Sequence, residues 1–540
     1  MNKILIIAFV CLCQPIYSQV RDTIKDLPAE QVEVIKQFEA RLEDARKINT
    51  IPEPPAQRVL EQFNYAVSIK PLELEYPEPS IRPLGMPKEE LPKKYNGFIT
   101  ASAGNLNTLN AALGYHYMTE NETEFDLQAD YLTQENKLER FQKYSHLNTD
   151  LLIRHHFNEL VSFQVQGGYH QRNVNFYGSP FDESTIADTS IYSRAITDYG
   201  FGFKFFNASE NEYGVDYQLG LDYKNLSLRN ENAVENNFLI KLGVNKSIGN
   251  RFDLKLDGIA DISSILDTAT IAYNNYHIKP GMAYHTEAFG IFAGLDFAFG
   301  PEGRNYFLPD VELSFSPLDY GLIPYLFLKA ELQKNNLVPL IAYNPFLSTE
   351  IISNLRNSIV TRYGIGARGK LKGFHYDVNV AYGSTDDLVM FRNHLDDQGL
   401  RQFLIEQDSF NILDVNVGLE YKLSDQLEVL THFQYIYYDE IVWQLPSYHF
   451  DLSARYHLLN NKLTISPAIF IRDGITVISD DREVVELPYM LDANIRASYQ
   501  VANQFSVFGE VNNLLASEYQ QWYDYSNFGL NAKAGINVKF

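Results

Sequence analysis

Histidine is the side chain best suited to metal binding or proton transfer near neutral pH, and this chain has 12. None stands in a spacing that does either. His155 and His156 are adjacent in a segment of strand-like pattern, so their rings are expected on opposite faces, where they do not share a metal. Neither His-Glu-x-x-His nor Gly-x-Ser-x-Gly occurs, the motifs that place a zinc or a nucleophilic serine. His432 and Ser453 fall on neighbouring candidate strands, but such Ser-His pairings recur by chance along any alternating polar wall. Asp386-Asp387, Asp396-Asp397 and Asp480-Asp481 offer oxygen ligands of the kind Ca²⁺ takes, without EF-hand spacing, and solvated charge is the plainer reading. Cys11 and Cys13 both lie within the first 18 residues, so the chain from residue 19 carries no thiol nucleophile, disulfide or Cys-held metal. An enzyme is not expected, and neither a cofactor nor a metal is called for.

The order of the remaining residues says more. Asn527 to Phe540 alternates strictly, with Phe528, Leu530, Ala532, Ala534, Ile536, Val538 and Phe540 apolar and the residues between them polar or Gly. Strand side chains alternate between two faces, so this stretch has one greasy face and one wet face. The apolar set is expected to face lipid, because a transmembrane strand needs about nine to eleven residues to cross the hydrocarbon. From Gly97 onward the same texture recurs in runs separated by turns such as Asn158-Glu159, Ser247-Ile248-Gly249-Asn250, Ser424-Asp425-Gln426 and Ala502-Asn503-Gln504. Between these hairpins lie longer segments expected at the outer surface: 176–190, 230–236, 266–275, 337–357, 384–409, 438–446, 479–486 and 516–526. Leu337 to Phe346 is apolar within such a segment, and either folds back into the lumen, covers a partner surface or is part strand. Trp443, Tyr519, Trp522, Tyr523 and Tyr525 lie near outer strand ends, where an aromatic girdle or ligand stacking would use them. The fold class that follows is all-β: a single transmembrane antiparallel β-barrel of about 20–22 strands over residues 96–540.

Ahead of the barrel the composition changes. Residues 1–18 read as a signal peptide, with Lys3 before the apolar Ile4–Leu12 and a cleavage site after Ser18. Residues 19–95 form a periplasmic or lumenal segment: a short amphipathic helix over 29–48, with Ile35, Phe38, Leu42, Ala45 and Ile48 in step, then a Pro-rich run over 51–92. The formal charge of −23 disfavours a nucleic-acid partner. Aromatic residues reach 14%, and the mean hydropathy of −0.24 suits a barrel whose strands turn half their side chains to a polar lumen.

Two C-terminal patterns add a resemblance. Lys533, Gly535, Val538 and Phe540 are similar to the polar-x-Gly-x-x-apolar-x-aromatic signal that outer-membrane barrels present to the barrel assembly machinery. Asn512-Asn513-Leu514-Leu515 followed by Tyr519 resembles the penultimate strand and last loop of TonB-dependent receptors, over roughly Tyr489 to Phe540. The resemblance implies an outer-membrane barrel in the passage or uptake of a small solute, with TonB or another periplasmic protein as partner. Ahead of Gly97 the chain departs from that family, since no Gly-rich plug motif is present and a plugless receptor-like barrel is expected. The rival reading is a non-transporting structural or assembly subunit of an outer-membrane complex, docking periplasmic partners through its N-terminal segment.

Overall fold

The computed structural model describes residues 94–540 except 159, 181–188, 208–212, 230, 232, 267–269, 317–320 and 350–354. The signal-like residues 1–18, the helix expected over 29–48 and the Pro-rich run 51–92 lie outside the described residues. Among the described residues, 22 strands from Gly97–Gly104 to Asn531–Lys539 form one closed antiparallel barrel. Each strand pairs with the next in the chain, and the last pairs with the first from Phe98↔Lys539 to Gly104↔Lys533.

Alternation decides which way each side chain points. In the strand Ala233–Ile248, Phe238, Ile240, Leu242 and Val244 are exposed by 54%, 37%, 54% and 44%, whereas Asn237, Lys241 and Asn245 take the other face. Its neighbour Phe252–Leu266 continues the pattern, with Leu254 and Leu256 outward and Asp253, Lys255, Asp257 and Asp261 inward. Carried around the wall, this leaves an apolar outer surface far larger than a water-soluble protein tolerates. It is the surface of an outer-membrane barrel. The inner face is polar and cross-linked by charge, as in Arg154–Glu124 at 2.8 Å, Lys279–Asp296 at 3.0 Å and Lys533–Glu510 at 2.9 Å.

Two expectations about boundaries are corrected. Residues 384–409 are not mainly loop. The strands Phe374–Leu395 and Arg401–Lys422 are each 22 residues long and stay paired past a bulge between Thr385 and Leu388. These extensions lack the alternation that marks the wall, because strands beyond the bilayer need no lipid-facing side. The closing strand starts at Asn531 rather than Asn527. Phe528 therefore lies in the last loop, where its ring faces Tyr177 at 6.5 Å.

A single-layer barrel has no core inside its wall, so buried apolar side chains must gather elsewhere. Here the largest cluster lies at the long-loop end, the outer end of such barrels. It joins strand ends such as Val174 and Ile196 to loop residues Phe176, Leu337, Phe346, Leu347, Trp522 and Tyr525. Small secondary elements shape these loops: a helix, Leu337–Tyr343, and two short hairpins, Thr476–Ile478 with Val484–Glu486 and Gln520–Trp522 with Tyr525–Ser526.

Candidate functional site

The apolar stretch beginning at Leu337 folds inward. Leu337, Leu340 and Ile341 are spaced by three and one, which puts them on one face of the helix Leu337–Tyr343, and all three are buried. Lumen-facing groups hold this segment at several points. Lys334 Nζ meets Asp261 Oδ1 at 2.6 Å and Ser263 Oγ at 2.7 Å. Glu235, fully buried, accepts from Val338 N at 3.1 Å and from the side-chain amide of Asn336. Arg172 Nη2 donates to Ile341 O at 3.1 Å near the other end. A carboxylate at the N-terminal N–H groups and a guanidinium at the C-terminal carbonyls both complement the backbone dipoles of the helix.

Aromatic rings from other loops close over it. Phe346 stacks on Tyr525 with centroids 3.7 Å apart and planes 18° apart. Tyr177 meets Tyr525 edge-on at 5.0 Å, and Tyr343 lies 5.5 Å from both Phe391 and Trp522. Trp522 in turn contacts Phe403 at 5.3 Å. Burial pushes the Tyr343 hydroxyl up to about 12 and the Tyr177 hydroxyl higher still, so these phenols stay neutral. Tyr177 donates to Ser526 O at 2.8 Å. The loops thus form a packed cap over the outer mouth of the barrel.

Two buried arginines fasten the cap. Arg194, 1% exposed, donates from Nη1 to Pro345 O at 2.7 Å and from Nε to Glu231 Oε1 at 2.7 Å, and lies 4.6 Å from the Phe176 ring centroid. Arg401, 2% exposed, makes a bidentate pair with Asp480 at 2.8 and 2.7 Å and reaches Asp524 at 2.8 Å. Its Nε donates to Gly178 O at 3.0 Å, its backbone N–H donates to Ser179 Oγ at 2.8 Å, and its guanidinium lies 5.0 Å from the Tyr523 ring centroid.

The residues singled out from sequence distribute as follows. Asp480 is the latch partner of Arg401. Asp387 pairs with Arg356 at 3.3 Å, and Asp396 Oδ1 accepts from Gln398 N and Leu400 N to make a turn. His155 bonds Thr123 Oγ1 and His156 bonds Ser162 Oγ, each at 2.7 Å. His432 sits opposite Asp451, and Ser453 opposite Leu430. Trp522 and Tyr525 belong to the cap core rather than to a membrane girdle. Asn513 adopts φ 49°, a left-handed conformation that Asn tolerates, and exchanges bonds with Ser517 at 2.8 and 2.9 Å. Tyr519 donates to Asp492 Oδ2 at 2.7 Å, Asn512 donates to Glu510 at 3.1 Å, and Leu514 and Leu515 stand exposed at the rim.

At the seam, Lys533, Gly535 and Val538 face Gly104, Ser102 and Ile99. A Cβ on Gly535 would stand 2.5 Å from both Ala101 O and Ser102 Cβ, so the close strand approach requires glycine there. Phe540 O accepts from Asn96 N and Gly97 N at 2.8 and 3.0 Å. Ala532, Ala534, Ile536 and Val538 share one face of the strand, with Ile536 44% exposed, and Leu530 just before it is 40% exposed.

A closed barrel of 22 strands with a polar lumen and loops folded over its outer mouth is an architecture of outer-membrane barrels. Solved structures agree. A point mutant of the ferric enterobactin receptor PfeA of Pseudomonas aeruginosa superposes with a TM-score of 0.64 at 9% identity, covering 82% of this chain and 80% of that one. The FrpB iron transporter from Neisseria meningitidis gives 0.65 at 9% identity over 83% and 82%. The siderophore receptor PirA from Acinetobacter baumannii gives 0.63 at 9% identity over 84% and 81%. The fold is that of the TonB-dependent receptor barrels. No family model and no curated protein matches the sequence.

Proposed function

We propose that this chain is an outer-membrane receptor of the uptake class, admitting a small solute into a polar lumen whose outer mouth its own loops close at rest. The observation that carries this reading is the cap. A barrel this wide encloses more space than its wall side chains fill, so an uncapped one would leak. Loops that bury Phe346, Trp522 and Tyr525 across the mouth suit a protein that opens for a ligand. The neighbours in fold are described as receptors and transporters of iron and siderophores, which makes ferric siderophores the first solutes to try. TonB is the periplasmic partner proposed, acting through residues outside the described barrel. Lipid is proposed to contact Leu530, Ala532, Ala534, Ile536, Val538 and Phe540. The barrel assembly machinery is proposed to read Lys533, Gly535, Val538 and Phe540.

The test is uptake of a panel of labelled iron chelates by cells in which this protein is the sole outer-membrane receptor. Saturable, TonB-dependent accumulation of one chelate is the expected result. No accumulation of any, together with stoichiometric recovery of a second outer-membrane protein, would overturn the uptake reading in favour of a structural subunit.

A further inference from the structure

We infer that Arg401 is the latch of the cap, a contact whose release lets the outer mouth open. This deepens the uptake reading by naming the element that regulates its entrance. Arg194 and Arg401 are both buried, but they differ in what they join. Arg194 ties the inward-folded loop at Pro345 to Glu231 and Phe176 beside the wall, which is an anchor. Arg401 gathers separate loops at one guanidinium: Gly178 of one, Asp480 of a second, and Tyr523 and Asp524 of the last. The last loop then reaches the inward-folded segment. Tyr525 donates to Arg401 O at 2.6 Å and stacks on Phe346, and Trp522 covers Tyr343.

The burial of the partners is unequal, and that gives the latch a direction. The Arg401 side chain is 2% exposed, while those of Asp480 and Asp524 are 48% and 39% exposed. The carboxylates can swing out into water and lose little solvation, whereas the guanidinium stays rooted on its paired strand and on Gly178 O. The bond therefore breaks from the outside, by movement of the two carboxylate-bearing loops. A bidentate arginine–carboxylate pair is strong enough to hold a resting state, and one open to water on one side is reversible.

The chain supplies its own reporter, since Trp443 and Trp522 are its 2 tryptophans and Trp522 lies in the cap. In the full-length protein carrying Trp443→Phe, acrylamide quenching of Trp522 and single-channel conductance are measured for Arg401→Gln and for the double variant Asp480→Asn, Asp524→Asn. Folding of each barrel is checked by its heat-modifiable gel mobility. Both variants are expected to raise Trp522 quenching and to raise open-channel events at least tenfold, and combining them should add nothing further. If Arg401→Gln fails to fold, the double variant, whose positions are half-exposed, still decides the matter. Unchanged quenching and conductance in a folded Asp480→Asn, Asp524→Asn protein would overturn the latch. These readings use no solute, so failure of the latch and failure of uptake are seen separately.

Discussion

Phe346→Ala tests whether the cap is a unit that opens apart from the wall. Phe346 is 7% exposed, stacked on Tyr525 at 3.7 Å and 6.2 Å from the rings of Phe176 and Tyr177. Truncating a buried Phe to Ala costs about 3–5 kcal/mol, with the ring pairing accounting for roughly 0.5–1.5 of it. Every ring it touches belongs to a loop, so the loss falls on cap closure and not on the ladder of wall hydrogen bonds. At about 1.4 kcal/mol per tenfold change, the lower figure of about 3 moves the closed-to-open ratio by roughly two orders of magnitude. Open probability in planar bilayers and quenching of Trp522 are expected to rise together, with the temperature of barrel unfolding unchanged. Unchanged quenching of Trp522 would refute a gating cap. A fall in wall stability as large as the shift in opening would refute its independence.

Further outcomes follow from named contacts. Glu235→Ala leaves the Val338 N–H without its acceptor, a loss of about 1–3 kcal/mol, and amide exchange over Leu337–Tyr343 should quicken while Glu235→Gln keeps most of the protection. Deleting Phe540 removes the carbonyl that receives Asn96 N and Gly97 N, and the amount of folded barrel in the membrane is expected to fall; equal amounts by gel mobility would count against an assembly role. The hydrogen bonds from Arg401 hold the Asp480 carboxyl below its usual range, so its contribution to closure is full above the unfolded pKa and is lost as pH falls through the lowered folded value. Burial raises Asp524 instead, so its share runs the other way and weakens as pH rises through that value. Arg401, Tyr523 and Asn393 also face this pair and do not titrate in the acid range. Trp522 quenching should increase as acid protonates Asp480, and Asp480→Asn should abolish that step.

The wall was legible because alternation such as Phe238-x-Ile240-x-Leu242-x-Val244 has one physical solution, a strand with water on one side and lipid on the other. The inward fold of Leu337–Phe346 was visible as an apolar run out of place, but a stretch this short does not separate helix from strand by periodicity. The latch left no local trace. Arg401 and Asp480 are 79 positions apart and Tyr525 is 124 from Arg401, so only the arrangement of strands brings them together. Aromatics near strand ends suit a girdle equally well, and burial in the cap was decided by loops whose paths the pattern does not encode. The strand extensions at 384–409 were hidden for a related reason: their buried Val389, Phe391 and Phe403 pack against the cap and not lipid, so no alternation marks them.

Every neighbouring pair of strands in this barrel is joined through nearby chain, except one. The last strand pairs with the first from Phe98↔Lys539 to Gly104↔Lys533, where Asn537 bonds Thr100 across 437 positions, and the whole ring waits on that seam. Each hairpin closes over a short connection, yet the circle is complete only when the last strand meets the first. Before then the sheet has two raw edges, each a template for the wrong partner. A lesion in the final strand is thus a lesion of timing as well as of bonding. It prolongs the interval in which an otherwise finished sheet is open to any strand that arrives first.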